Sequence, residues 1–205
     1  MRTNISAAIL AGGPGSRMKG LVKPKIILDG KTILDRSLIV LKNIFSEIIL
    51  VTNSPETYTG YEGLLITSDH LKGIGPLAGI HAALKAASGD AVFIFAGDMP
   101  LLNNDLIMKQ AGFFEGLNCD ILIPRTGTDI EPLHSIYKRS ILPKLEDYIS
   151  TAESMAVRDF CMTVNVKFMD IEKDRHVSFL NINSDSDISE VERIFKTGRH
   201  KNTLE

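Results

Sequence analysis

Residues 5–20 read ISAAILAGGPGSRMKG, an apolar run from Ile5 to Leu10 that enters a loop holding Gly12, Gly13, Pro14, Gly15, Ser16 and Arg17. The run is too short for a helix and stops at a glycine pair, which predicts a buried strand followed by a tight loop. Glycines at that point leave backbone N–H groups unobstructed by side chains, an arrangement that wraps a phosphate, and Arg17 adds a charged fork suited to phosphate oxygens. A turn with no ligand would also use these glycines. The spacing excludes two other phosphate loops. A P-loop needs a Lys-Ser or Lys-Thr pair after its last glycine, and the dinucleotide fingerprint needs a glycine where Met18 stands.

The same grammar repeats along the chain. KIILDGKTILDRSLIVLKNI (25–44) predicts a brief strand, a turn at Asp29-Gly30 and a helix with apolar residues at 33, 34, 38, 41 and 44. EIILVTN (47–53) and GLLITSD (63–69) are two more buried strands with polar ends. GPLAGIHAALKAAS (75–88) predicts a helix opened by glycine and proline, and DAVFIFAGDMP (90–100) a fourth strand ending in an aspartate. Continuous apolar strands alternating with helices predict an α/β fold, a mostly parallel sheet covered by helices on both faces. Such sheets bind ligands at the carboxyl ends of their strands. The residues to watch are therefore Gly12, Asn53, Asp69 and Asp98.

In the second half, CDILIPR (119–125) and VNVKFMDI (164–171) predict strands. PLHSIYKRSILPKLEDYI (132–149) predicts a helix beginning near Ser135 or Tyr137, and DSDISEVERIFKTG (185–198) a closing helix capped by Ser184 or Asp185. No linker, repeat or low-complexity segment interrupts the sequence, so residues 1–203 are expected to form one domain, with Leu204 and Glu205 resembling a cloning scar.

Composition narrows the class. With 205 residues, 44% hydrophobic content and a formal net charge of -2, the chain has the totals of a globular protein and gives no support for coating nucleic acid or lying on a membrane surface. No apolar run reaches the length of a membrane span. The two cysteines, Cys119 and Cys161, are remote from each other and outside any metal-binding spacing. They fit buried thiols in a reducing compartment, and a cytoplasmic location is expected.

LAGGPGSRM (10–18), followed by Lys23 in KPKIILDGK, resembles the signature of the nucleotidyltransferases built on a three-layer Rossmann-like sheet, which join a nucleoside monophosphate to a phosphate-bearing acceptor and release pyrophosphate. GPLAGIHAAL (75–84), GDMPLL (97–102), EPLHSIYKRSILPKLEDYI (131–149) and FLNINSDSDI (179–188) are similar to the MobA family, the molybdenum cofactor guanylyltransferases. The likeness runs along almost the whole chain. It implies transfer of GMP from GTP to molybdopterin, with Mg²⁺ or Mn²⁺ as cofactor and possible contacts with other cofactor-biosynthesis proteins or apo-molybdoenzymes.

The resemblance also implies roles for residues. Leu10, Ala11, Gly12 and Gly13 contact the nucleotide, Lys23 binds it further along, and Asn53, Asp69 and Asp98 complete the site. Arg17, Lys23 and Asp98 are the expected catalytic set. Asp98 ends a strand too apolar to leave a carboxylate uncompensated, and a bound cation is a sufficient reason for its position; capping the following helix or closing a turn is the other. Asp69 suits guanine N1–H and N2–H or ribose hydroxyls, while both Asp69 and Asn53 also fit turn chemistry. Gly75, Pro76 and Gly79 are candidates to cover the base or the pterin, or to start a helix tightly packed on the sheet. Asn181 and Asn183 are candidates for the acceptor, or for a strand-to-helix turn.

Three lysines compete for the phosphates. Lys23 has the family's spacing to Gly30, Lys25 is expected to point to solvent or to the other face, and Lys19 replaces the glycine usual after Arg-Met. A phosphate nucleophile is already ionised near neutral pH, so His81 and His134 are not needed as bases, and His81 is expected to be a paired surface or interface residue. A cytidylyltransferase acting on the same pterin, a sugar-phosphate nucleotidyltransferase, and a nucleotide-binding module without catalysis share these motifs.

Overall fold

The computed structural model describes residues 4–12, 17–18, 20–71, 73–172 and 177–197, without the side chain of Arg17. Gly13, Lys19, Leu204 and Glu205 lie outside the described residues.

Strand β1 (Ile5–Leu10) is buried along its length, and the chain then forms two short hairpins, β2 (Arg17–Met18) with β3 (Leu21–Val22), and β4 (Ile27–Leu28) with β5 (Lys31–Thr32). Between them Lys23–Lys25 makes one 3₁₀ turn. Helix α1 (Ile33–Ile44) starts at a reciprocal cap in which the Thr32 hydroxyl accepts from the Asp35 N–H and the Asp35 carboxylate accepts from the Thr32 N–H. Then come β6 (Ile48–Val51), β7 (Leu65–Thr67), α2 (Pro76–Ala86) and β8 (Ala91–Ala96). Each of the four strands predicted in the first half is present.

Between β8 and Cys119, where no element is predicted from sequence, the chain forms α3 (Asn104–Glu115), whose start is marked by the Asn103 side chain accepting from the Leu106 N–H. Strand β9 (Ile121–Thr126) turns back through β10 (Asp129–Ile130) into β11 (His134–Lys138). The helix predicted from Ser135 or Tyr137 therefore begins later, as α4 (Leu142–Thr151) with Pro143 in its first turn. The physical reason is alternation. Ile136 faces one side of the sheet with Phe93, and Tyr137 faces the other with Val92, a period of two that short apolar windows share with a helix. A short α5 (Val157–Cys161), β12 (Val166–Asp170) and α6 (Asp185–Thr197) complete the described chain, with Ser184 as the cap of α6.

Among the described residues one eight-stranded sheet runs β7-β6-β1-β8-β11-β9-β10, with β12 along β9. The pairs β1·β6, β1·β8, β6·β7 and β9·β12 are parallel; β11 runs antiparallel between β8 and β9. The sheet is thus mostly parallel, as expected, with β11 and the two-residue β10 reversed. Helices α1 and α3 cover the face carrying Ala7, Ile9, Phe93 and Phe95, while α2, α4 and α5 cover the face carrying Ala8, Ile49, Val92 and Ile94. Three layers result.

Two features place the site. The chain builds outward from β1 through β6 to β7 and then returns to the opposite side of β1 with β8, so the strand order reverses at β1 and the carboxyl ends of β1 and β8 lie side by side at that reversal, where such sheets hold their ligands in a crevice. The last helix returns to the first residues. Ile182, Val191 and Ile194 form a third apolar cluster with Leu28, Ile33 and Leu101, which fastens the 177–184 segment beside the turn at Lys23. No helix among the described residues is long and apolar enough to cross a membrane.

Candidate active site at the sheet's switch point

The crevice is a cavity of about 270 Å³ lined by Leu10, Ala11 and Gly12 from the end of β1, by Ala96, Gly97 and Asp98 from the end of β8, and by Lys23, Asp69, Gly75, Pro76, Gly79 and Asn183. Residues separated by up to 173 positions in the chain therefore share one wall. Pro24, Val51 and Leu133 complete it and were not among the candidate site residues.

One side is built on Lys23. Its side chain is buried, and its ammonium donates to Asp98 Oδ2 at 2.9 Å and to Asn183 Oδ1 at 2.6 Å. The charge that the sequence argument assigns to a bound cation at Asp98 is thus supplied in this structure by Lys23. Asp98 does not cap α3, since Asn103 does. Its carbonyl accepts from the Ile182 N–H at 3.0 Å, tying the loop after β8 to the C-terminal segment. Asn183 is held in turn by Asp187 Oδ2, which accepts from the N–H groups of both Asn183 and Ser184 at 2.8 Å. Those contacts, with Lys23 nearby, hold the Asp187 carboxyl below its ordinary range.

The opposite side is a second carboxylate. Asn53 Nδ2 donates to Asp69 Oδ1 at 3.0 Å, fixing one oxygen, while Oδ2 lies where a side chain on Gly12 would reach it, 3.7 Å from an added Cβ. Asn53 does not line the cavity itself but orients a residue that does.

Helix α2 closes a third side. Gly75 has φ of 58°, a backbone setting that favours glycine, and stands as the N-cap before Pro76. A Cβ on Gly79 would sit 3.1 Å from Leu10 Cδ2. The tight helix start and the cavity wall are therefore one feature, because the close packing brings the helix to the crevice. Gly97 is equally constrained: a Cβ there would meet the Leu10 carbonyl oxygen at 3.0 Å and Pro24 Cγ at 3.2 Å. The signal that could have found Pro24 is its place between two lysines in the KPK stretch.

The remaining candidates divide. Asn181 donates its side-chain amide to the Phe179 carbonyl at 3.3 Å and is outside the cavity lining, so the two asparagines have different surroundings. Lys25 does not point freely to solvent. Its ammonium lies 5.6 Å from the ring centroids of both Tyr58 and Tyr61. The backbone of Arg17 pairs with Val22. His81 Nε2 lies 3.0 Å from Glu146 Oε1 and joins α2 to α4, as a paired interface histidine.

His134 is in the core. Its ring packs edge-on against Phe93 and Phe179 at 5.0 and 4.9 Å, and neither ring nitrogen has a hydrogen-bond partner among the described residues. Burial pushes its pKa down to about 4 from 6.5. The unfolded chain therefore binds a proton below pH 6.5 that the folded chain refuses until about pH 4. Stability must fall as pH drops through that window, by about 3 kcal/mol from this group. Chemical denaturation at pH 7 and pH 4 should show a loss smaller by about that amount in His134→Phe.

A Rossmann-like sheet whose switch-point crevice sets a lysine against one carboxylate and faces a second has room and charge for a small phosphorylated ligand, and the comparisons with known proteins give the class, a nucleotidyltransferase. The family model described as "MobA-like NTP transferase domain" matches residues 7–163. The chain belongs to that family. A probable molybdenum cofactor guanylyltransferase of Peptoclostridium acidaminophilum is 35% identical over 199 residues, covering 92% of this chain and 89% of the relative. The molybdenum cofactor guanylyltransferase of Desulfosudis oleivorans is 31% identical, covering 95% and 98%. Among solved structures, molybdopterin-guanine dinucleotide biosynthesis protein A of Archaeoglobus fulgidus superposes with a TM-score of 0.79 at 28% identity, over 94% of this chain and 99% of that one. The 4-diphosphocytidyl-2C-methyl-D-erythritol synthase of Anaerococcus prevotii shares the fold, with a TM-score of 0.74 at 17% identity over 94% and 96%.

Proposed function

We propose that this nucleotidyltransferase transfers GMP from GTP to molybdopterin and releases pyrophosphate. The observation that carries the reading is the Lys23–Asp98–Asn183 cluster standing across the switch-point crevice from Asp69, in a chain whose curated relatives are named molybdenum cofactor guanylyltransferases. An oxygen of the acceptor's terminal phosphate attacks the α-phosphorus of GTP, the bond to the β-phosphate oxygen breaks, and pyrophosphate leaves. The acceptor oxygen is already ionised, so no general base is required, and catalysis is a matter of position and charge.

Lys23 supplies part of that charge. An ammonium has three N–H donors, of which two are spent on Asp98 and Asn183, leaving one for a phosphate oxygen. Leu10, Ala11 and Gly12 line the part of the cavity that would take the triphosphate, and Gly13 and Arg17 keep the phosphate-contacting roles that the family resemblance implies. Asp69 Oδ2 accepts from guanine N1–H and N2–H or from ribose hydroxyls, with Asn53 holding the other oxygen. Gly75, Pro76 and Gly79 wall the cleft on the base or pterin side, and Asn183 faces the acceptor.

The residues also suit a divalent cation. Among the described residues no group of three acidic, histidine or cysteine side chains is assembled, and Mg²⁺ characteristically takes one or two carboxylates together with substrate phosphates and water. Asp98 is the carboxylate that would hold Mg²⁺, or Mn²⁺ in its place. The ion would neutralise charge on the phosphates when bound. The buried thiols of Cys119 and Cys161 suit a cytoplasmic enzyme.

Calorimetry with GTP, CTP, UTP and ATP in Mg²⁺ tests the base, and pyrophosphate release tests the acceptor. GTP should bind tightest, and release should require molybdopterin. Tighter binding of CTP, or equal release with a sugar 1-phosphate, would overturn the assignment.

A further inference from the structure

The turn Lys23–Lys25 carries the site's central cation, yet within itself it is held by a single backbone bond, the Ile26 N–H to the Lys23 carbonyl at 3.0 Å. A lysine side chain has four rotatable bonds, so its ammonium keeps one position only if the backbone that bears it is fixed from outside. Three outside anchors are visible. The Ile33 N–H donates to the Ile26 carbonyl, tying the end of the turn to the start of α1. Pro24 is packed against the side of Gly97 that an added Cβ would fill. Lys25 projects to a different side from Lys23 and lies over Tyr58 and Tyr61, at 5.6 Å from each ring centroid. Tyr58 is almost wholly buried, and the two rings stand 6.3 Å apart at 59°, so the ammonium meets a rigid two-ring seat.

We propose that Lys25 is a positioning residue: its seat on Tyr58 and Tyr61 clamps the 3₁₀ turn so that the neighbouring Lys23 ammonium is fixed between Asp98 and Asn183. Lys25 is not among the residues that line the cavity and acts through Lys23. For nucleotide binding, the inference rests on the reading of the cavity as a GTP site.

The strength of a partly exposed cation–π contact converts to a change of about three- to tenfold in any equilibrium that needs the fixed turn. The first readout needs no ligand. In the intact protein, the ¹H–¹⁵N signal of the Lys23 ammonium, assigned by its loss in Lys23→Met, should be visible because the ammonium is itself buried and held by two acceptors, which slows its exchange with water. Lys25→Met should broaden or abolish that signal, Lys25→Arg should keep it, and Tyr61→Leu should mimic Lys25→Met while Tyr61→Phe, which keeps the ring, should not. The second readout is GTP titration in Mg²⁺ by calorimetry. Lys25→Met should weaken GTP about three- to tenfold, Lys25→Arg should restore it, and adding Tyr61→Leu to Lys25→Met should weaken it no further.

An unchanged Lys23 signal and unchanged GTP affinity in Lys25→Met would overturn the proposal, as would failure of Lys25→Arg to restore both in a chain that unfolds at the wild-type temperature. If the unmodified protein binds no GTP, the nucleotide reading falls, and the ammonium signal by itself still decides whether Lys25 positions Lys23.

Discussion

Asp98→Asn is expected to lower the rate of pyrophosphate release about 1000-fold, a loss of about 4 kcal/mol in transition-state stabilisation. The substitution is nearly isosteric. The asparagine carbonyl can still accept from Lys23, so the 2.9 Å contact has a neutral substitute and the turn at Lys23 should stay in place. What is lost is the negative charge at the end of β8, which in the proposed function holds a divalent cation against the phosphates. The variant should therefore bind GTP with little response to Mg²⁺, where the unmodified protein binds more tightly when Mg²⁺ is present. Paired calorimetric titrations with and without the ion, beside a continuous pyrophosphate assay, separate the two effects. A variant that keeps both its rate and its Mg²⁺ response would remove Asp98 from the mechanism.

Lys23→Met should have the second largest effect, a fall of about 100- to 1000-fold in kcat/KM. Methionine keeps the length of the lysine's unbranched stem and discards the ammonium, so the loss measures the charged group. GTP affinity should fall together with turnover, because the lysine meets phosphate before the reaction as well as during it. Arginine should not rescue. Its planar fork is wider than an ammonium and would have to enter a slot bounded by Asp98 at 2.9 Å and Asn183 at 2.6 Å. Removing the lysine also leaves Asp98 without its counter-charge. The carboxylate side chain is 20% exposed and faces the cavity, so water partly compensates it, and the stability cost should be only about 1 kcal/mol. The double variant Lys23→Met with Asp98→Asn should regain that stability and none of the activity. Urea denaturation read beside the activity assay checks both statements.

Local pattern carried far in the first half. The apolar runs at 5–10, 48–51 and 91–96 could be read as strands because buried parallel strands are apolar on both faces, and the polar or small residues at their ends mark the sheet's working edge. That edge holds Gly12, Asp69 and Asp98, each at the cavity, and Asn53 one hydrogen bond behind it. Pattern failed at His134–Lys138, a central strand of five residues whose neighbours Arg139–Thr151 are helical. So short a strand offers too few residues for its period to be told from that of the adjoining helix.

The sequence by itself determined the alternating α/β order of the first half and the family to which its motifs belong. The tertiary structure decided which lysine is inside, which asparagine meets it, and what balances Asp98. Those outcomes depend on contacts across 75 and 160 residues, made when β8 settles beside β1 and α6 packs back onto the β4–β5 hairpin. Lys23 and Lys25 are the same residue type two positions apart, with the same local propensities. One reaches the carboxylate at the cavity wall and the other a pair of tyrosine rings because a single 3₁₀ turn sends them to different sides, and only the packed surroundings give each side its chemistry.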